Sequence, residues 1–144
     1  SAPDWFTIIS VTNTNVQKAS PGSFGGTTDV HYQYVNATPG THPLRPDGCN
    51  ITNRVERLTP ADTLSVLTTC HNAFQPGGQE GYLVVSAVDP VTGHTIDHDW
   101  LVGSAMVVNA SGAIYGMNAI LFFHLGGGDA KLARGGPQGL TAIT

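Results

Sequence analysis

The segment GYLVVSAVDPVTG, Gly81 to Gly93, decides the fold class of this chain. Its first half, Gly81 to Asp89, is a nearly continuous apolar run of strand length, which is typical of a central β-strand. Its second half predicts a hairpin turn, because Pro90 presets the first central φ and Gly93 can adopt the positive φ that closes a bulged turn. The segment therefore predicts antiparallel β-structure.

The flanking sequence extends this pattern in both directions, and no helix of ten or more residues with a 3.6-residue period is evident. Strands are predicted at Trp5–Thr12, Thr28–Asn36, Cys49–Leu58, Thr63–Thr69, Thr95–Val102 and Asn118–Leu125, and residues Ala105–Asn109 form a short apolar segment. The prolines in residues 37–48 predict an irregular segment there. The strand number and spacing predict an all-β fold, an immunoglobulin-like antiparallel β-sandwich of seven to nine strands. Residues 1–125 form the predicted domain, and the Gly-rich residues 126–144 a tail or linker.

The distribution of charged residues argues against some classes of binding partner. No lysine or arginine lies between Leu58 and His124, and that stretch has a formal charge of −5 with histidines neutral. Nucleic-acid binding is not expected, because phosphate backbones require basic contacts. Only 11% of the residues are charged, against about 25% in an average domain. We expect an extracellular or cell-surface protein without a membrane span, since no apolar run of about 18 residues occurs. The small residues Ser1 and Ala2 fit a chain that begins after a removed signal peptide, and an arbitrary start of the sequence is the alternative.

Two cysteines, Cys49 and Cys70, are the only ones in the chain. In an exported protein we expect them to form a disulfide, which would contribute about 3 kcal/mol in the chain-entropy model. Two buried free thiols are the alternative. No C-x-x-C pair supports a redox motif or a zinc site.

The densest polar segment is His94–Trp100, HTIDHDW. On a strand, Asp97 and Asp99 would share one face, about 6.6 Å apart. They are candidate calcium ligands if loop carbonyls complete the site; otherwise they are solvated surface residues. Neither a nucleophile elbow nor an acid–base pair is specified, so an enzyme is not expected. Three triplets match the N-glycosylation acceptor pattern, at Asn36, Asn50 and Asn109.

Parts of the sequence resemble a β-sandwich domain, of unknown function, found in exported bacterial proteins. The resemblance covers about residues 5–109 and rests on four motifs. They are the TNTN turn at Thr12–Asn15, the LTP turn at Leu58–Pro60, the VDPVTG hairpin at Val88–Gly93, and a strand that ends in LVG at Leu101–Gly103. The resemblance implies export and an immunoglobulin-like sandwich. An aromatic residue stands in that family where this chain has His98, which favours a packing role for His98.

Function is then predicted from the ends of the chain. Strand-like segments near both termini with only two lysines in the chain, Lys18 and Lys131, favour strand exchange between subunits. The predicted assembly residues are Trp5, Phe6, Ile8, Ile9, Val11, Ile120, Leu121, Phe122 and Phe123. The leading hypothesis is an extracellular structural or adhesive module, such as a pilus-like fibre subunit, whose partners are copies of itself or other surface proteins. The alternative is a carbohydrate- or Ca²⁺-dependent surface-binding module that uses loop aromatics such as Phe74.

Overall fold

The computed structural model describes residues 5–42, 45–72 and 81–120, with backbone only for residues 36–42 and 45–50. Within them lie seven strands and one short helix, in the order β1 Trp5–Asn13, β2 Thr28–His42, β3 Arg45–Leu58, β4 Thr63–Leu67, α1 Thr68–His71, β5 Gly81–Val88, β6 Leu101–Asn109 and β7 Ile114–Asn118. The predicted all-β class is confirmed. No described helix is long and apolar enough to cross a membrane.

The strands form two antiparallel sheets. Sheet A has the order β4-β1-β6-β7, and sheet C has the order β3-β2-β5. Alternate residues of each strand face the other sheet, because successive side chains point to opposite faces. One shared apolar core results, with Val11 from sheet A and Val30, Tyr32, Tyr34 and Leu58 from sheet C fully buried. The arrangement is thus a two-layer sandwich.

The turn predicted at Asp89–Gly93 is confirmed, including the positive φ of Gly93. Gly93 has φ of +69° and donates its N–H to the carbonyl of Asp89 at 2.9 Å. The Asp89 carboxylate accepts hydrogen bonds from the N–H groups of Val91 and Thr92. The turn closes as the local sequence indicates.

The predicted strand Thr95–Val102 is wrong. Thr95 makes only an isolated bridge with Val88, and β6 begins at Leu101. The reason is that Trp100 is bonded to sheet A instead of continuing a strand beside β5. Its carbonyl accepts hydrogen bonds from both the N–H and the hydroxyl of Thr14, the residue after β1. The chain therefore crosses from sheet C to sheet A through an irregular segment.

The segment 37–48 also differs from the prediction, because β2 runs to His42 and β3 starts at Arg45. β3 is an edge strand, where a proline such as Pro46 is tolerated. Pro39 lies beyond Asn36, the last β2 residue that pairs with β5. Its missing N–H therefore breaks no ladder on that side. The prolines are compatible with a long hairpin for this reason.

The connecting loops meet at Asn13, which is fully buried at the end of β1. Its side-chain nitrogen donates to the carbonyls of Gly26 at 2.7 Å and Thr59 at 3.1 Å. Its side-chain oxygen accepts from the N–H of Asn15 at 3.1 Å and from His98 at 3.2 Å. One amide therefore joins three separate loops at the same end of the sandwich.

Candidate functional site

The acidic segment does not form the strand on which its calcium geometry depended. Asp97 and Asp99 are exposed in the irregular segment before β6, and His98 between them is half-buried. Among the described residues, no group of three or more His, Cys, Asp or Glu side chains is placed to hold a metal ion. The calcium hypothesis for these carboxylates stays a prediction, and Phe74 lies outside the described residues.

Cys70 lies in α1 and is a free, exposed thiol. The predicted disulfide with Cys49 is therefore not formed in this structure. α1 is held near the middle of β3, where Arg54 Nε donates to the carbonyl of His71 at 2.9 Å. Cys49 lies five residues earlier on β3, which is about 16 Å along a strand, and a disulfide requires Cα atoms within about 7 Å. The side chain of Cys49 is not described, and the pairing remains a prediction for the oxidised chain.

The predicted glycosylation sites lie on turns and strands. Asn109 ends β6, and its side-chain oxygen accepts a hydrogen bond from the N–H of Ser111 at 2.7 Å. Asn36 and Asn50 face each other in the β2–β3 register, and their side chains are outside the described residues. Use of these sites stays a prediction.

Of the two predicted assembly segments, the first lies in the middle of sheet A. β1 pairs with β4 on one side and with β6 on the other, over most of its length. Exchange of β1 between subunits would require breaking both ladders. In the second segment, Ile120 is exposed, and Leu121, Phe122 and Phe123 lie outside the described residues.

Sheet A contains no charged residue in any of its four strands. Its outer face has two adjacent rows of apolar side chains, set by the strand register. One row is Leu67, Ile8 and Met106, and the next is Phe6, Val108 and Ile114. Exposed members include Met106 and Ile114, the latter at 63%. Contiguous exposed apolar surface of this kind is typical of an interaction site.

One of the two edge strands of sheet A beside these rows is β7, and all five of its residues are exposed. The Ala119 N–H bonds the Gly103 carbonyl, and the Asn109 N–H bonds the Ala113 carbonyl. The odd-numbered residues of β7 therefore form the backbone hydrogen bonds to β6, since along an antiparallel strand alternate residues bond to a given neighbour. The N–H and C=O groups of Ile114, Gly116 and Asn118 point away from β6, toward a side of β7 where no strand of the described residues pairs. Such an edge is a template for a further strand.

On the inner side of sheet A, Trp5 and Tyr115 stack at the end away from the Asn13 loops. Their ring centroids are 5.9 Å apart, and both rings are about half exposed. Apolar surface therefore continues from the outer face around the β7 edge to the inner side. Sequence reasoning placed Trp5 in an assembly strand but did not connect it with Tyr115.

A second cluster, missed from the sequence, lies between the sheets beneath α1. His71 Nδ1 and the hydroxyl of Tyr34 are 2.6 Å apart, and His71 Nε2 is 3.5 Å from a carboxylate oxygen of Glu56. Burial raises the pKa of Tyr34 to about 12 and raises that of Tyr32 further, with the neighbouring Tyr34 and Glu56 adding to the shift at Tyr32. Tyr32 and Tyr34 on β2 lie on the same face of sheet C as Arg54 and Glu56 on β3. The alternation of residues along each strand could have indicated this grouping. Nothing local indicated His71.

Comparisons of the chain with protein-family models, with curated proteins and with solved structures found no match.

Proposed function

We propose that this protein is an extracellular structural or adhesive β-sandwich module that assembles by addition of a strand from a second copy at the β7 edge. The observation that supports this proposal is β7 itself, beside the apolar rows of sheet A. It carries no charge, all five of its residues are exposed, and no other described strand pairs with its outer side. Main-chain hydrogen bonds would supply affinity in such a contact, and the adjoining apolar side chains would supply additional buried area.

The contrast with another edge strand supports β7 as the contact. β3, an edge of sheet C, carries Arg54, Glu56 and Arg57. Charged side chains on an edge strand discourage pairing with another chain. β7 carries none, so the two edges differ in the feature that normally prevents edge-to-edge association.

The partner strand in this proposal is β5 of the next subunit. β5 is the other edge of sheet C and has no charged residue. Within the described residues, its outer side is bonded by the segment that follows it only near Ala87 and Val88. A β7–β5 contact is head-to-tail, and such contacts build filaments when they do not close into a ring. A β7–β7 contact would instead be two-fold and would stop at a dimer.

We also propose that the sandwich is immunoglobulin-like. β1 with β4, and β2 with β5 and β3, have the neighbour relationships of strands B and E and of strands C, F and C′. β6 occupies the position beside β1 that strand A has in that fold. An experimental structure with other neighbours for β1 or β2 would contradict this assignment.

The test is the assembly state of the full chain and of Ile114→Lys, by sedimentation velocity and negative-stain electron microscopy. The native chain is expected to form filaments, and the variant to remain monomeric because a charge would be buried at the contact. Val91→Lys is the matched control, since Val91 is 72% exposed in the β5 hairpin turn. A monomeric native chain, or an Ile114→Lys chain that assembles like the native chain, contradicts the proposal. Native two-fold dimers would contradict the β5 pairing alone.

Surface location is tested separately. Antibodies against the folded domain are expected to label intact cells of the native source, and labelling only after cell lysis would contradict an extracellular position.

A further inference from the structure

The outer face of sheet A, which is turned away from the core, has two different halves along its strands. Val11 points into the core, so the even-numbered residues of β1 and the residues paired with them form the outer face. One half consists of the two apolar rows that begin at Leu67 and at Phe6. The other half, nearer the Asn13 loops, has two rows rich in hydroxyl groups. These rows are Ser65, Ser10, Ser104 and Asn118, and Thr63, Thr12 and Val102.

This face is one on which two copies of the chain can meet without like charges opposing each other. The chain has a formal net charge of −4, and a net charge of one sign makes copies repel. No strand of sheet A carries a charged residue. The outer face of sheet C, in contrast, presents Asp29 and Arg57 as well as His31.

The hydroxyl rows are partly hydrogen-bonded within the face. Ser10 Oγ and Ser65 Oγ are 2.7 Å apart. Thr12 Oγ1 and Thr63 Oγ1 are 2.9 Å apart. A hydroxyl donates one hydrogen bond and accepts two, so each pair keeps one O–H and further acceptor positions for a partner. A purely apolar partner would leave these groups unsatisfied. A matching partner is therefore apolar over one half and rich in hydroxyls over the other, which is the pattern of this face itself.

A two-fold axis that lies between two such faces, parallel to the strands and between β1 and β6, brings like halves together. Each residue keeps its position along the strand, so β1 of one copy lies over β6 of the other, and β4 lies over β7. Ile8 then faces Met106 of the second copy, and Leu67 faces Gly116 of the second copy. A side chain at Gly116 would meet no atom within 4 Å, so this position has room for the leucine. An axis across the strands would instead place apolar rows on hydroxyl rows.

The area of the face is sufficient for a small interface. β1 and β6 have nine residues each, and β4 and β7 have five each. At about 3.4 Å per residue and about 4.8 Å per strand, they cover about 450 Å² of sheet plane on each copy. Side chains add to this area, so two copies would bury about 1,000 Å² or more, which is near the lower limit for a specific interface.

We propose that two copies of this protein form a dimer in which the outer faces of sheet A pack on each other with their strands aligned. Aligned packing is an established arrangement of two β-sheets. The contact uses a face of the sheet and not its edge, so it is separate from strand addition at β7. Because the interface is small, the dimer is expected to dissociate on dilution.

The experiment separates the face from the strand edges. Tyr82→Lys on β5 and Met117→Lys on β7 replace exposed residues that lie outside the outer face of sheet A. Charged side chains on edge strands discourage strand pairing. The full chain with both substitutions, the edge-blocked chain, is expected to sediment as a dimer at high micromolar concentration and as a monomer after dilution. Filament formation by the native chain is not required for this result.

Ser104→Lys, added to the edge-blocked chain, places a charge at the centre of the face and is expected to leave only monomers at the same concentrations. Ser104 is exposed, so the fold should be retained, which circular dichroism checks. Ser65→Lys, exposed in the same row on β4, repeats the test. Asn53→Lys, exposed on the outer face of sheet C, is the matched control and should leave the dimer intact.

Two results would overturn the proposal. One is an edge-blocked chain that is monomeric at every concentration, as when another part of the chain or a different protein covers the face. The other is a dimer that persists with Ser104→Lys and with Ser65→Lys. Neither result bears on strand addition at β7, which is tested by the native chain and Ile114→Lys.

Discussion

His98 Nε2 lies 3.2 Å from the side-chain oxygen of Asn13, so a histidine in the segment before β6 is bonded to the last residue of β1. The direction of this bond follows from the other partners of Asn13. Its side-chain nitrogen faces two carbonyls, which can only accept, and its oxygen faces the N–H of Asn15, which can only donate. His98 must therefore be the donor, with a proton on Nε2.

Asn13→Ala is expected to destabilise the protein by about 3 kcal/mol, because it leaves buried partners without hydrogen bonds in three loops. Chemical denaturation followed by tryptophan fluorescence measures the change. Asn53→Ala is the control, since Asn53 is exposed and makes a single side-chain bond to His31; its cost is expected within about 0.5 kcal/mol. Equal losses in the two variants would show that Asn13 does not join the loops.

Stability should fall in mild acid because of His98. Burial lowers the pKa of His98, and the nearby Asp99 and Asp97 oppose this only in part. A histidine with a lowered pKa in the folded state takes up its proton more readily when unfolded. The stability that neutral His98 contributes to the folded state is thus fully present above the ordinary histidine pKa of about 6.5. It is lost as the pH falls below that value toward the lowered pKa of the folded state.

The measurement for His98 is the free energy of unfolding from about pH 7.5 to about pH 5 in the native chain and in His98→Gln. Glutamine can still donate to Asn13 but does not titrate in this range. The variant is expected to lose less stability on acidification, and the difference between the two slopes isolates His98. Parallel slopes would mean that His98 is protonated equally in the folded and unfolded chains.

The sequence predicted those parts of the fold that depend on short-range chemistry. The apolar run of β5 and the Asp89–Gly93 turn require only neighbouring residues, and the structure has both. The segment that follows could not be predicted in this way. Whether residues 95–100 continue as a strand depends on Thr14, more than 80 positions away, which takes the Trp100 carbonyl.

The candidate sites show the same limit. The last strand was predicted at Asn118–Leu125, whereas β7 runs from Ile114 to Asn118. Local sequence shows that this segment is uncharged, but only the strand order makes it an edge of the described sheet. Similarly, the sequence around His71 indicates no role for this residue, and only the position of α1 places it over Tyr32 and Tyr34. Both sites depend on contacts between segments distant in the sequence, and the sequence pattern does not specify those contacts.

Assembly through sheet A should be nearly independent of salt. Salt screens charged contacts, with a Debye length of about 8 Å at physiological ionic strength, and no strand of sheet A carries a charge. The midpoint concentration for filament formation, measured by light scattering, is expected to change little between low and physiological sodium chloride. A strong decrease in assembly with added salt would place the contact on charged surface, such as the β3 edge.

Cys70 provides a test of the arrangement around α1. The thiol is free and exposed on a helix that Arg54 holds through the carbonyl of His71. In the folded, reduced chain Cys70 is expected to react fully with a thiol reagent at the rate of an exposed cysteine, as measured by mass spectrometry of peptides. The Cys70→Ser chain, which retains Cys49, is the control that assigns the fast reaction. A natively purified chain with no reactive thiol until a reductant is added would contradict the free thiol, and would support the disulfide with Cys49 that the sequence predicts.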